Sequence, residues 1–136
     1  MGDLTRNFSR SEFACPCCGL DTIDRDLVDI LQHSRDAVGI PYPISSGCRC
    51  RRHNADVGGK AGSSHLPQED GLCKAADIEC ANSHEMYRMG WDMIRRFKRI
   101  EFGKKISNGK VTLRCLVDMA NRFKSVTFDT ISVRMI

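Results

Sequence analysis

The stretch from Cys48 to Gly71, "CRCRRHNADVGGKAGSSHLPQEDG", constrains the fold most. Its glycines and short polar side chains oppose regular structure, since glycine loses the most backbone entropy on ordering and Ser, Asn and Asp compete for backbone hydrogen bonds. A chain with so long a central loop must place its regular elements before and after it. Before it, "DRDLVDILQHSRDAVG" reads as a helix: Leu27, Ile30, Leu31 and Val38 recur at helical spacing, acids crowd the first turn and Gly39 supplies a stop. His33 on this helix has no partner in sequence and is expected at or near the surface. "PYPISSG" gives a short strand leading into a turn.

After the loop, "AADIEC" reads as a short buried strand. "NSHEMYRMGWDMIRRFKR" reads as a second helix, with Ser83 as N-cap and a core stripe of Met86, Met89, Met93, Ile94 and Phe97. His84 falls in its first turn, where positive charge is unfavourable, so it is expected neutral and structural. "RIEFG", "KVTLRCLV" and "SVTFDTISVRM" are β-like, the last as one alternating run from Val126 to Arg134. The expected fold class is α+β: two helices packed on a small antiparallel or mixed sheet, in one domain spanning residues 1–136.

Composition narrows the function classes. A hydrophobic share of 41% excludes a disordered chain, and no apolar run approaches the roughly 20 residues of a membrane span. "MGDLTRNFSRSEF" has neither the apolar core nor the cleavage site of a secretory signal, so synthesis in the cytoplasm is expected. The net charge of +4 is too modest to name an anionic partner, although "RCRRH" (49–53) and "RRFKR" (95–99) concentrate it. Eight cysteines without a secretory signal point to metal binding or burial ahead of disulfides. "CPCCG" and "GCRC" offer up to five thiolates, Cys15, Cys17, Cys18, Cys48 and Cys50, of which four would close a structural zinc site. Their spacing is not the familiar paired Cys-x-x-Cys, and burial as small hydrophobes is the plain alternative.

"SSHLPQEDGLCKAADIEC" sets His65 and Asp77 among small residues. Either this is a plain loop leading into a strand, or imidazole and carboxylate meet at one zinc ion where the chain doubles back. The ordered succession "NFSRSEFACPCCG", "ISSGCRCRRHNADVGG", "SSHL" and "GLCKAADI" resembles the zinc peptidases of the D-alanyl-D-alanine carboxypeptidase and phage endolysin family, whose fold is shared with the hedgehog signalling domain. The matching positions are Ser46, Gly47, Cys48 and Arg49; Ser63 and His65; and Gly71, Ala75 and Asp77. The resemblance covers about residues 7–103, with 104–136 divergent.

The resemblance implies that His65 and Asp77 are the first two zinc ligands, with the metal site on the central loop. Arg49 would hold a substrate carboxylate or the developing oxyanion, and Ser63 would lie on the substrate side. The implied substrates are peptidoglycan stem peptides, reached from the cytoplasm after release if the chain is a phage lysin. A monomer is expected, with neither membrane nor nucleic acid as partner. The eleven residues from Leu66 to Ala76 are a longer spacing than the family's, tolerable if "PQEDG" bulges outward. The family's third ligand, a histidine on a late strand, is missing: its place falls on Leu116, with Asp118 as the general base. Either Asp118, Asp129 or Glu101 completes the site, or the domain has kept binding without catalysis, or the end of the chain derives from a shifted frame. The non-catalytic alternative is a peptidase-like module stabilised by cysteine-held zinc, binding cell-wall or nucleic-acid anions through Arg49, Arg51 and Arg52.

Overall fold

A computed structural model describes residues 2–97, 99–105, 111–116, 124–128 and 131–135. In chain order it contains a single 3-10 turn (Arg10–Phe13), α1 (Arg25–Val38), β1 (Ile44–Ser46), α2 (Arg51–Asp56), β2 (Ala75–Cys80), α3 (Ser83–Ile94), β3 (Arg99–Lys105), β4 (Val111–Leu116), β5 (Lys124–Phe128) and β6 (Ile131–Met135). The strands form one sheet in the order β1-β2-β4-β3-β5-β6, antiparallel except where β3 runs parallel to β5. The fold is α+β with a mixed sheet, as its sequence suggests.

The expected first helix forms almost to the residue. Asp24 caps it, its carboxylate accepting from the amides of Asp26 and Leu27, and Gly39 ends it at φ 79°. Leu27, Val28 and Leu31 bury the inner face. His33 is exposed, as expected. In α3 the cap is Asn82 rather than Ser83: Asn82 is extended (φ −161°, ψ 175°) and its side chain accepts from the Glu85 amide, while Ser83 is already helical. That helix stops at Ile94, with Arg95 as its C-cap, so the expected extension to Arg99 is not made. His84 is exposed, which leaves it no packing role.

Two further expectations are corrected. The central loop holds a third helix, α2, too short to carry an apolar stripe; Cys50 caps it and Asn54 ties it to the following loop. The C-terminal alternating run is two antiparallel strands, β5 and β6, with Phe128 paired to Ile131. Among the described residues no helix is long and apolar enough to cross a membrane.

Strand alternation places the core and the site on opposite faces of the sheet. Ala76, Ile78 and Cys80 of β2 and Ile100 and Phe102 of β3 join the core cluster with Met86, Met89 and Met93 of α3 and Leu27, Val28 and Leu31 of α1. The other parity carries Asp77 on β2 and Glu101 on β3. Both pair in register with position 114 of β4, so they lie in one row across the sheet. Ser46 at the end of β1 lies in the same row, opposite Asp77.

Candidate metal centre

The site is built from the end of β1 outward. A Cβ on Gly47 would lie 2.7 Å from both the Cα and the carbonyl oxygen of Phe13, so only glycine lets the chain pass here. The Cys48 amide then donates to the Phe13 carbonyl at 2.8 Å. This close passage fixes the Gly47 carbonyl, which accepts from His65 Nδ1 at 2.6 Å. A carbonyl can only accept, so Nδ1 bears the proton and Nε2 of the neutral ring presents a lone pair.

That lone pair is buried and has no hydrogen-bond partner, in a residue only 1% exposed. It sits 3.3 Å from Asp77 Oδ1, too poorly aligned to be a hydrogen bond. Two acceptors facing one another in a buried setting are unfavourable unless a cation joins them. Ligands about 2.0–2.2 Å from a tetrahedral zinc stand about 3.3–3.5 Å apart, the separation seen between these two atoms. The donor set, imidazole nitrogen plus carboxylate oxygen, suits zinc.

Arg49 completes this inner layer. Its Nη2 donates to Asp77 Oδ2 at 3.4 Å, Nε to Ser46 Oγ at 3.2 Å and Nη1 to Asn54 Oδ1 at 3.4 Å. Its amide donates to the His65 carbonyl at 2.9 Å. Each oxygen of Asp77 thus has its own neighbour, histidine on one side and guanidinium on the other. Arg49 is 8% exposed, so the expected basic loop of Arg49, Arg51 and Arg52 is corrected: Arg51 and Arg52 are exposed, while Arg49 is buried and paired with Asp77. Ser46, the Gly47 carbonyl and Asn54 are the parts that sequence reasoning gave no role here.

His65 and Arg49 open onto a cleft of about 470 Å³ whose wall also includes Lys60, Ser63 and Glu101. A neighbouring groove of about 840 Å³ shares Gly59, Gly62 and Ser63 with it and continues past Leu66, Gln68 and Glu69. Ser63 Oγ accepts from the His65 amide at 3.2 Å, so it shapes the histidine loop as well as lining the cleft. Position 116, where the third ligand was sought, pairs with Ala75 of β2, one same-face step from Asp77. Asp118 and Asp129 lie outside the described residues. Glu101, the one of the three candidate acids among the described residues, lines this cleft.

The cysteines divide into two groups. Cys15, Cys18 and Cys50 bring their sulfurs within 4.8 Å of one another, and Cys17 lies against Cys50. Burial raises the Cys15 thiol, but backbone amides of Cys50, Cys17 and Cys18 aimed at its sulfur bring it down to about 7. Cys48 does not belong to this group. It is buried against Cys73, which holds the Cys48 thiol proton and pushes its pKa up, with burial adding to the effect.

The Peptidase M15 family model matches residues 6–111, more than three quarters of the chain and every residue of the site described above. No curated protein matches the chain significantly. The chain belongs to the Peptidase M15 family.

Proposed function

We propose that this Peptidase M15 member is a zinc-dependent hydrolase of peptide bonds in peptidoglycan stem peptides, of the D-Ala-D-Ala carboxypeptidase or endolysin type. The observation that carries this reading is the unpartnered Nε2 of buried His65 facing Asp77 Oδ1 at 3.3 Å. Zinc held there would supply a Lewis acid that polarises the scissile carbonyl and brings the pKa of water toward neutrality. The residues of the chain do the rest. His65 offers a nitrogen whose tautomer is set by Gly47, and Asp77 an oxygen oriented by Arg49. Arg49 also places a fixed cation in the cleft wall, where it favours a substrate carboxylate or a developing oxyanion. Glu101 stands in the same wall as the carboxylate to take a proton from the attacking water.

The combined cleft and groove suit an extended peptide, with Arg51 and Glu69 along the rim of the larger hollow. The chain acts as a monomer on wall peptides, after release from the cytoplasm in which it is made. Purified peptidoglycan and short peptides ending in D-Ala-D-Ala test this, with products followed by mass spectrometry for wild type and His65→Ala. Cleavage by wild type and none by the variant is expected; equal cleavage by both would refute it.

One observation favours a second reading, a peptidase-like binding module. Among the described residues the only group of three metal-binding side chains is the cysteines, because His65 and Asp77 lack a third. On that reading wall peptides bind to wild type and to His65→Ala alike, and neither protein cuts them.

A further inference from the structure

Cys15 and Cys18 are separated by two residues in a tight turn, closed by the Gly19 amide on the Cys15 carbonyl at 2.8 Å and the Cys15 amide on the Leu20 carbonyl at 2.7 Å. Gly19 leaves the turn at φ 80°, a conformation other residues rarely adopt. The turn points the backbone amides of Cys17 and Cys18 at the Cys15 sulfur. Amides directed at sulfur stabilise a thiolate and do little for a buried thiol. Thirty-five residues along, Cys50 reaches back so that its sulfur lies 3.8 Å from that of Cys15. Cys50 also receives the His53 amide at 3.4 Å.

Thiolates about 2.3 Å from a tetrahedral zinc stand about 3.8 Å apart, so the Cys15–Cys50 spacing is that of two ligands on one ion. A disulfide would need sulfurs about 2.05 Å apart. Cys18 lies within 4.8 Å of both, and Cys17, outside that group of three, is near enough to Cys50 for the Cys50 thiol to raise its pKa. Two of the four, Cys17 and Cys18, are exposed, so burial as small hydrophobes does not explain the cluster.

We propose that Cys15, Cys18 and Cys50, with Cys17 as the fourth thiolate, form a structural zinc site separate from the His65–Asp77 centre. Its effect is to clamp the N-terminal segment onto the start of α2, one residue from Arg49. Cys50 also lines the larger groove, so the clamp fixes one wall of the substrate channel and the approach to Arg49. Because soft thiolates hold the ion, the clamp is sensitive to oxidants in a way the His65–Asp77 centre is not.

Cobalt(II) is the probe, since thiolate ligands give sulfur-to-cobalt charge-transfer absorption and imidazole or carboxylate ligands do not. The full chain is stripped of metal, kept reduced and titrated with cobalt. Charge-transfer bands that saturate at one equivalent, survive in His65→Ala and lose intensity and cobalt affinity in both Cys18→Ser and Cys50→Ser are expected. Cys18 is exposed, so its variant tests ligation without disturbing the core; circular dichroism confirms its fold. Absence of the bands in the wild type, or bands of undiminished intensity and affinity in both serine variants, would overturn the proposal. So would a Cys15–Cys50 disulfide in the protein isolated under reducing conditions. Loss of the bands in His65→Ala would show that the metal belongs to neither site as assigned.

Discussion

Replacing Asp77 by Asn separates the two tasks of this carboxylate, because it removes the charge and keeps the shape. In the metal-free protein the Arg49–Asp77 pair is nearly dry, the two side chains being 10% and 11% exposed at 3.4 Å. Removing one partner of such a pair costs about 3–5 kcal/mol. The new amide can donate to the orphaned His65 Nε2 while its oxygen still accepts from Arg49, which offsets about 1 kcal/mol. The net loss is about 2–4 kcal/mol, or roughly 10 °C in Tm for a chain of this size. Urea denaturation in chelator and reductant reads this first term. Zinc in excess then adds stability to each protein, about 4 kcal/mol for one site at a thousandfold excess over Kd. Any cysteine-held zinc contributes equally to both proteins and cancels in the comparison. The zinc-dependent gain should therefore be larger in wild type by the whole contribution of the His65–Asp77 site. Equal gains, or an Asp77→Asn protein more stable than wild type in chelator, would refute the reasoning.

Three further outcomes are expected. Gly47→Ala forces a Cβ into the Phe13 backbone and displaces the carbonyl that orients His65; a loss of about 1–3 kcal/mol in urea should accompany an about 10–100-fold weaker zinc affinity at that site. Tyr42 is pushed up to about 12 by burial, against the lowering effect of its bond to Ser34. Its contribution to stability is therefore complete below the unfolded value of about 10 and is lost as pH rises through about 12. Tyr42→Phe should flatten that alkaline decline, by up to about 3 kcal/mol, in denaturation curves taken on either side of pH about 10. Glu101→Gln should lower kcat for peptide cleavage by about 10²–10⁴ with zinc content unchanged. An unaltered kcat would remove Glu101 from the reaction.

How far the sequence discloses this protein depends on where the determining interactions lie. Helix α1 is legible because its signals are local: an Asp cap, an apolar stripe and a glycine able to turn left-handed. Helix α2 is not, because its six residues have no apolar face and are held by a Cys50 cap and by the contacts of Asn54 with Arg49 and the Lys60 carbonyl. His65 and Asp77 stand out through the order of their motifs. The Gly47 carbonyl that sets the His65 tautomer has no side chain to announce it. The cysteines show the same limit, since Cys48 and Cys50 look alike in "GCRC" and only the fold sends one to Cys73 and the other to Cys15. Asn82 and Ser83 are both good caps, and the choice between them rests on which backbone is extended.

Counting zinc per chain tests whether His65 and Asp77 hold a metal ion. Elemental analysis of reduced wild type and His65→Ala, purified side by side, should find one zinc ion fewer in the variant, with its cysteine-held metal intact. Identical zinc content in the two proteins would contradict the account.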